Sequence, residues 1–216
     1  MARPAPDARR GPTDFEQILL GFIGAEPRSG YELKRLFQTT PAAVYQPSDG
    51  ALYPALKRLE ARGFLRAESA ASGRRVRRVY EATAKGRAST RRWVREPVEP
   101  ASVGRDLGLH LVRFVLMEGL VSPSEIDTFL TDLTVALEAF LDGMERYVAS
   151  SEIPGRHPRL ALEHGIAVHR ASLTWARSAM ATLETMPELR RSEPAPEHPV
   201  RHPAGQVTPV QVVESR

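Results

Sequence analysis

With 216 residues, 42% hydrophobic but only 6% aromatic, the chain is long enough for one large domain or two small ones with real cores. It contains no cysteine, which excludes a disulfide framework, a thiolate metal site and cysteine nucleophile chemistry, and fits a reducing, cytoplasmic setting. The net charge of +4 hides an asymmetry: residues 1–100 hold 19 lysines and arginines against 11 acidic residues, and the remainder 11 against 15, so one half suits a polyanion and the other does not. No uncharged apolar run approaches the roughly 20 residues of a membrane-spanning helix. Met1–Pro12 is charged and proline-rich without the apolar segment of a leader. A soluble protein with no membrane partner is expected.

Residues 1–12 read as a disordered N-terminus. A capping box, Thr13-Asp14-Phe15-Glu16, then opens a helix whose apolar stripe is Phe15, Ile18, Leu19, Phe22 and Ile23, and which Glu26-Pro27 ends. A second box, Ser29-Gly30-Tyr31-Glu32, opens a short helix carrying Leu33, Leu36 and Phe37 inward, broken at Thr39-Thr40-Pro41. A third helix starts at Ser48, a good N-cap, and closes at Gly63, a C′ glycine. Leu52, Leu56 and Leu59 form its buried stripe. A rotation of about 100° per residue puts Gly50, Tyr53, Pro54, Lys57 and Arg58 on or beside the opposite face. With Ala51, that face offers small residues for close approach together with a tyrosine and cations.

Phe64–Glu68 reads as a strand, Ala70–Gly73 as a turn and Arg75–Ala82 as the returning strand. Arg74, Arg75, Arg77 and Arg78 crowd this hairpin. Like charges so close repel, a cost that a polyanionic partner removes. Thr83 caps a helix running past Trp93, and Pro97 and Pro100 mark a linker over residues 97–104. Residues 105–118 are apolar on most sides. A third capping box, Ser122-Pro123-Ser124-Glu125, opens a long helix with Ile126, Leu130, Leu133, Leu137, Phe140, Met144 and Tyr147 at alternating four- and three-residue spacing. A last helix from about Arg159 carries Leu162, Ile166, His169, Leu173, Ala176, Met180 and Leu183 in the same rhythm. Three such helices have more apolar surface than they can hide among themselves, and a dimer would hide the rest. Residues 187–216, proline-rich and aperiodic, read as a disordered tail.

The expected fold is mainly α: a winged helix-turn-helix of three helices and a β-hairpin over residues 13–96, then a helical dimerisation domain over 105–186. The chain lacks a Gly-x-Ser-x-Gly elbow, Walker-type glycines and a His-Glu-x-x-His pair, so it is not expected to be an enzyme or to need a cofactor. His164 and His169 are five apart, on different helix faces, and His198 and His202 lie in the tail, so no metal site is expected.

Leu20-Gly21-Phe22-Ile23, Ser29-Gly30-Tyr31-Glu32-Leu33-Lys34, the run Asp49-Gly50-Ala51-Leu52-Tyr53-Pro54-Ala55-Leu56-Lys57-Arg58-Leu59-Glu60, Arg62-Gly63-Phe64-Leu65 and Thr83-Ala84-Lys85-Gly86-Arg87 together resemble the PadR family of bacterial transcription regulators. The resemblance spans roughly residues 15–95, and the downstream helices are similar to the dimerisation domain of its longer members. It implies a homodimer, usually a repressor, on an inverted-repeat operator in double-stranded DNA, and in several members a small aromatic or drug-like effector that releases the DNA. The family's Gly-Arg-Pro-Arg-Lys-Tyr-Tyr wing stands here as Gly73-Arg74-Arg75-Val76-Arg77-Arg78-Val79-Tyr80: the proline is gone and one tyrosine is valine, while the charge is kept.

On this reading Ser48, Gly50, Ala51, Tyr53 and Lys57 meet the major groove, Tyr31 and Lys34 touch the flanking backbone, and Arg74, Arg75, Arg77, Arg78 and Tyr80 lie along the adjacent backbone or minor groove. For Tyr31 and Tyr80, packing within the small domain competes with DNA contact. Trp93, Phe114 and Trp175 are candidates to stack on an aromatic effector, against the plainer role of core or interface anchors. The competing function is a protein–protein interaction module in which the winged unit and the coiled helices bind another protein.

Overall fold

A computed structural model describes residues 11–39, 48–72, 75–150, 153 and 155–185. The elements run α1 (Asp14–Ala25), β1 (Arg28–Ser29), α2 (Gly30–Thr39), α3 (Asp49–Ala61), β2 (Leu65–Ser72), β3 (Arg75–Ala82), α4 (Ala84–Val94), α5 (Pro100–Met117), α6 (Pro123–Ala149) and α7 (Arg156–Thr185). This is the expected winged helix-turn-helix followed by long helices. Residues 1–10 and 186–216, most of the two segments read as disordered, lie outside the described residues.

The capping boxes form as the sequence dictates. Glu16 N donates to Thr13 Oγ1 (3.3 Å) while Thr13 N donates to Glu16 Oε2 (3.1 Å), and Glu32 N donates to Ser29 Oγ (3.3 Å) while Ser29 N donates to Glu32 Oε2 (2.9 Å). Glu125 Oε2 likewise accepts from Ser122 N at 2.7 Å. Ser48 differs: it sits at the N-cap of α3 with extended φ/ψ, but its side chain makes no capping hydrogen bond.

The core of the winged unit is the predicted set. Ile18, Leu19, Ile23, Leu33, Phe37, Leu52, Leu56 and Leu59 are buried, and Phe15 and Phe22 close over Phe37 with ring centroids 6.1 and 5.8 Å away. The sheet has the order β1-β3-β2, antiparallel throughout. The hairpin is longer than expected, because Ala70, Ala71 and Ser72 pair with Arg77, Val76 and Arg75 instead of forming the turn. The two-residue strand β1 is not expected from sequence; Arg28 and Ser29 pair with Tyr80 and Val79 beside a proline and within a capping box, where no alternation can show. Gly63 takes φ 73° at the end of α3, as a C′ glycine should. Gly86 is needed for a different reason: a Cβ there would lie 2.3 Å from the carbonyl oxygen of Phe64, backbone that cannot swing aside.

α5 begins at Pro100, five residues earlier than expected, and is broken at Asp106 (φ −153°, ψ 71°). Asp106 Oδ1 accepts from Leu109 N (3.0 Å), so Asp106 acts as an N-cap for the second segment. That second segment is the apolar helix read from sequence at residue 105. α6 and α7 lie antiparallel: Glu138 meets Arg177 and Glu145 meets Arg170, each at 2.5 Å, while Thr131 reaches Met180. Leu130, Leu133, Leu137, Ile166, Leu173 and Ala176 fill the seam. His169 packs on Phe140 (4.5 Å between centroids) and approaches Val103 O (3.2 Å), tying α7 to the first segment of α5. Leu111, Val115, Val135, Tyr147, Leu160 and Val168 remain exposed on these helices.

His110, buried where α5 meets the winged unit, has its pKa lowered to about 4, first by burial and then by the Arg113 charge, against the opposing pull of Asp106 and Asp14.

Two outcomes follow from this packing. Gly86→Ala should lower unfolding free energy by ~2 kcal/mol in urea titration, since the clash is with backbone. Between pH 6.5 and about 4 the unfolded chain takes up a proton on His110 that the folded chain refuses. Stability should therefore fall as pH drops through that window, by a single-site contribution on the order of 3 kcal/mol. The denaturation midpoint of His110→Gln should lose that slope; an unchanged slope would contradict the assignment.

Candidate nucleic-acid interface

The face formed by α2, α3 and the wing is where the basic half of the chain presents its polar surface. Tyr31 is 70% exposed and Tyr53 42%, both high for tyrosine, and Ser48, Gly50, Ala51, Pro54 and Lys57 are exposed beside them. The Tyr53 ring lies against Gly30: a Cβ at that glycine would come within 2.6 Å of Tyr53 Cε1. The glycine at the start of α2 therefore lets a tyrosine of α3 sit across the junction of the two helices. Lys34 is half-buried on α2.

Arg58 turns away from this face. Its Nε donates to Glu16 Oε1 (2.8 Å), a carboxylate only 2% exposed, and Arg62 stands 3.8 Å from the other oxygen. A buried carboxylate needs such partners, so Arg58 serves to fasten α3 to α1.

The wing requires a correction. Crowded on one hairpin, its arginines look uncompensated without a polyanion, yet Arg77 and Arg78 are paired within the chain. Arg77 donates to Glu32 and to Ser29 Oγ (3.0 Å) at the start of α2. Arg78 Nη2 donates to both oxygens of Glu60 on α3 (2.5 and 2.6 Å). The Arg77 hydrogen bond, with the Ser29 amide behind it, brings the Glu32 carboxyl down to about 2, and Glu60 raises the Arg78 pKa. Arg77 and Arg78 thus pin the wing to the two helices of the helix-turn-helix. Glu32 and Glu60 were missed as site residues because pairings 45 and 18 residues distant leave no local pattern. Arg74 and the side chain of Arg75 lie outside the described residues.

For Tyr80 the packing alternative is the one the fold favours. The residue is 5% exposed, with the Arg78 guanidinium 5.7 Å from its ring centroid, and burial raises its pKa. Its ring packs within the domain. Trp93 likewise is 4% exposed and its Nε1 donates to Asp14 Oδ1 (2.9 Å), so it anchors α4 to α1 and presents no face to an effector. Trp175 and Phe114 are half-buried and meet edge to face at 5.3 Å, with Phe129 stacked 6.3 Å from Phe114.

Residues 19–92 match the model of the transcriptional regulator PadR-like family. A probable transcriptional regulator of Mycobacterium tuberculosis is 26% identical over 170 residues, covering 72% of this chain and 90% of its own. Among solved structures, Bacillus subtilis PadR in complex with operator DNA aligns with a TM-score of 0.40 at 18% identity, over 79% of this chain and 99% of its own. The same protein in complex with p-coumaric acid aligns at 0.34 and 17% identity, over 82% and 98%. The PadR-like regulator of Bacillus cereus aligns at 0.36 and 18% identity, over 81% and 98%. These structural likenesses are loose, and the assignment rests on the family domain. Over residues 19–92, about a third of its length, the chain is therefore similar to the PadR-like family of transcriptional regulators.

Proposed function

We propose that this regulator is a homodimeric repressor that binds an inverted-repeat operator, with α3 in the major groove, the start of α2 on the flanking backbone and the wing tip on the adjacent backbone or minor groove. The observation that carries the reading is the exposed group of Tyr31, Tyr53 and Lys57 beside small residues on α3, next to a wing held against the same two helices. Gly50 and Ala51 let the helix approach base edges closely, Ser48 and Tyr53 offer hydroxyls, and Lys57 offers a cation for phosphate or guanine. Lys34 supports the backbone contact from α2. With Arg77 and Arg78 engaged by Glu32 and Glu60, the wing's direct phosphate contacts fall to Arg74 and Arg75.

Residues 13–96 are the DNA-binding unit in this reading and residues 105–186 the dimerisation unit, with residues 97–104, which include the first segment of α5, joining them. The exposed Val115, Val135, Tyr147, Leu160 and Val168 are the surface that a second copy would cover. An aromatic effector would meet the Phe114–Trp175 pair, the half-buried aromatic contact between α5 and α7. The repressor sense follows from the family.

The test is fluorescence anisotropy on DNA from upstream of the protein's own gene, against excess nonspecific competitor at several salt concentrations. Saturable binding that survives competitor and weakens about a thousandfold between roughly 50 and 200 mM salt is expected. Binding that competitor abolishes on that DNA and on the operators of neighbouring genes would contradict the reading. Lys57→Ala should cost about 1–3 kcal/mol of operator affinity with the melting temperature unchanged. Arg78→Ala should lower both, because it unfastens the wing; loss of affinity alone would mean that Arg78 contacts DNA directly.

A further inference from the structure

The winged unit and the C-terminal helices meet around a buried arginine. Arg113, on the second segment of α5, is 4% exposed, and its guanidinium lies 5.3 Å from the centroid of Phe129 on α6 and 6.0 Å from that of Trp93 on α4. Its Nη2 donates to the carbonyl of Val94 (3.3 Å), an orphan acceptor at the end of α4 where the helix dipole favours a cation, and to that of Glu96 just beyond the helix. Its Nη1 approaches His110 Nδ1 at 3.5 Å. The other ring nitrogen, His110 Nε2, lies 2.8 Å from Ser102 Oγ, and Ser102 Oγ lies 2.5 Å from Glu99 O.

The directions of these bonds are fixed by proton count. The Ser102 hydroxyl has one proton, which goes to the Glu99 carbonyl. His110 Nε2–H must then donate to Ser102, leaving Nδ1 as the acceptor that faces Arg113. The relay therefore runs Arg113 to His110 to Ser102 to Glu99 through a neutral imidazole. Ser102 and His110 are eight residues apart, about 12 Å in a straight helix. They touch only because α5 is broken at Asp106. The relay locks that break on one side and the end of α4 on the other.

We propose that Arg113, His110 and Ser102 are positioning residues that set the angle at which the winged unit is carried on the C-terminal helices. Domains joined by a short link move relative to each other unless the interface prevents it. Here the interface is directional, made of hydrogen bonds at fixed angles, and not only apolar packing such as that of Leu116 on Gly21. The angle matters for function because two winged units of a dimer must reach half-sites at a set separation. In that last step the proposal rests on the DNA-binding reading above.

The absence of cysteine allows site-specific spin labelling of the full chain at Glu68→Cys on β2 and Ala181→Cys on α7. Samples diluted with excess unlabelled protein report distances within one chain by double electron–electron resonance. The wild-type joint should give a narrow distribution. His110→Leu and Arg113→Met, which keep volume but end the relay, should widen it by about twofold or more, while His110→Gln, able to accept from Arg113 and donate to Ser102, should restore it. Arg113→Met leaves the Val94 and Glu96 carbonyls unpaired, so its width is compared with that of Leu130→Ala, a core variant away from the joint that loses as much stability or more. A purely structural role would tie width to stability and predicts that Leu130→Ala widens the distribution at least as much as Arg113→Met. An unchanged width in Arg113→Met, or in Ser102→Ala should the former fail to fold, overturns the proposal. The labelling needs no DNA, so its outcome stands apart from whether the wild type binds an operator. On an operator, the widened variants should lose most of the wild-type preference against insertion of one or two base pairs between half-sites.

Discussion

A surface that meets polyanionic DNA must hold its shape before the DNA arrives, against the mutual repulsion of its own cations. In this chain three glutamates meet that constraint. Glu16, buried under α1, holds Arg58; Glu32, at the start of α2, holds Arg77; Glu60, near the end of α3, holds Arg78. Each pair joins elements that no covalent turn joins: α1 to α3, α2 to β3, and α3 to β3. Exposed ion pairs contribute little to stability individually, about 0–1 kcal/mol. Their value here is geometric, since they set the wing and α3 at a fixed angle to each other. Two of the wing's cations are thereby engaged within the chain.

The same economy appears at the other end of the winged unit. Trp93 reaches Asp14, and Arg113 closes the end of α4 from α5, so the N- and C-terminal halves meet through directional bonds around aromatic faces. His110 stays neutral there because the site is buried and already holds a cation. α3, α1, α4 and the C-terminal helices are thus linked in one chain of contacts from Arg58 on α3, through Glu16, Asp14, Trp93 and Arg113, to Phe129 on α6.

Much of this was legible in sequence because it is local. Capping boxes at Thr13, Ser29 and Ser122, the glycine after α3, and the three- and four-residue spacing of α6 and α7 are set by neighbours along the chain, and each formed where it was read. What was not legible depends on distant partners. The pairings of Arg77 and Arg78 span 45 and 18 residues, so the wing read as bare charge. The break at Asp106 is stabilised by a side-chain cap and by the Ser102–His110 contact across it, so the start of α5 read as a linker. Tyr80 and Trp93 look alike in sequence to Tyr31 and Tyr53; only burial separates those that pack from those that face outward. β1 was invisible because two residues carry no period.

In the proposed function, a fixed α3–wing unit carried twice on a shared helical base reads DNA. Its most direct measurement is selection of the full-length protein's preferred sequences from a random duplex pool. Enrichment of a twofold-symmetric motif with half-sites about one helical turn apart, centre to centre, is expected. Recovery of unenriched sequence, bound only at low salt, would contradict it.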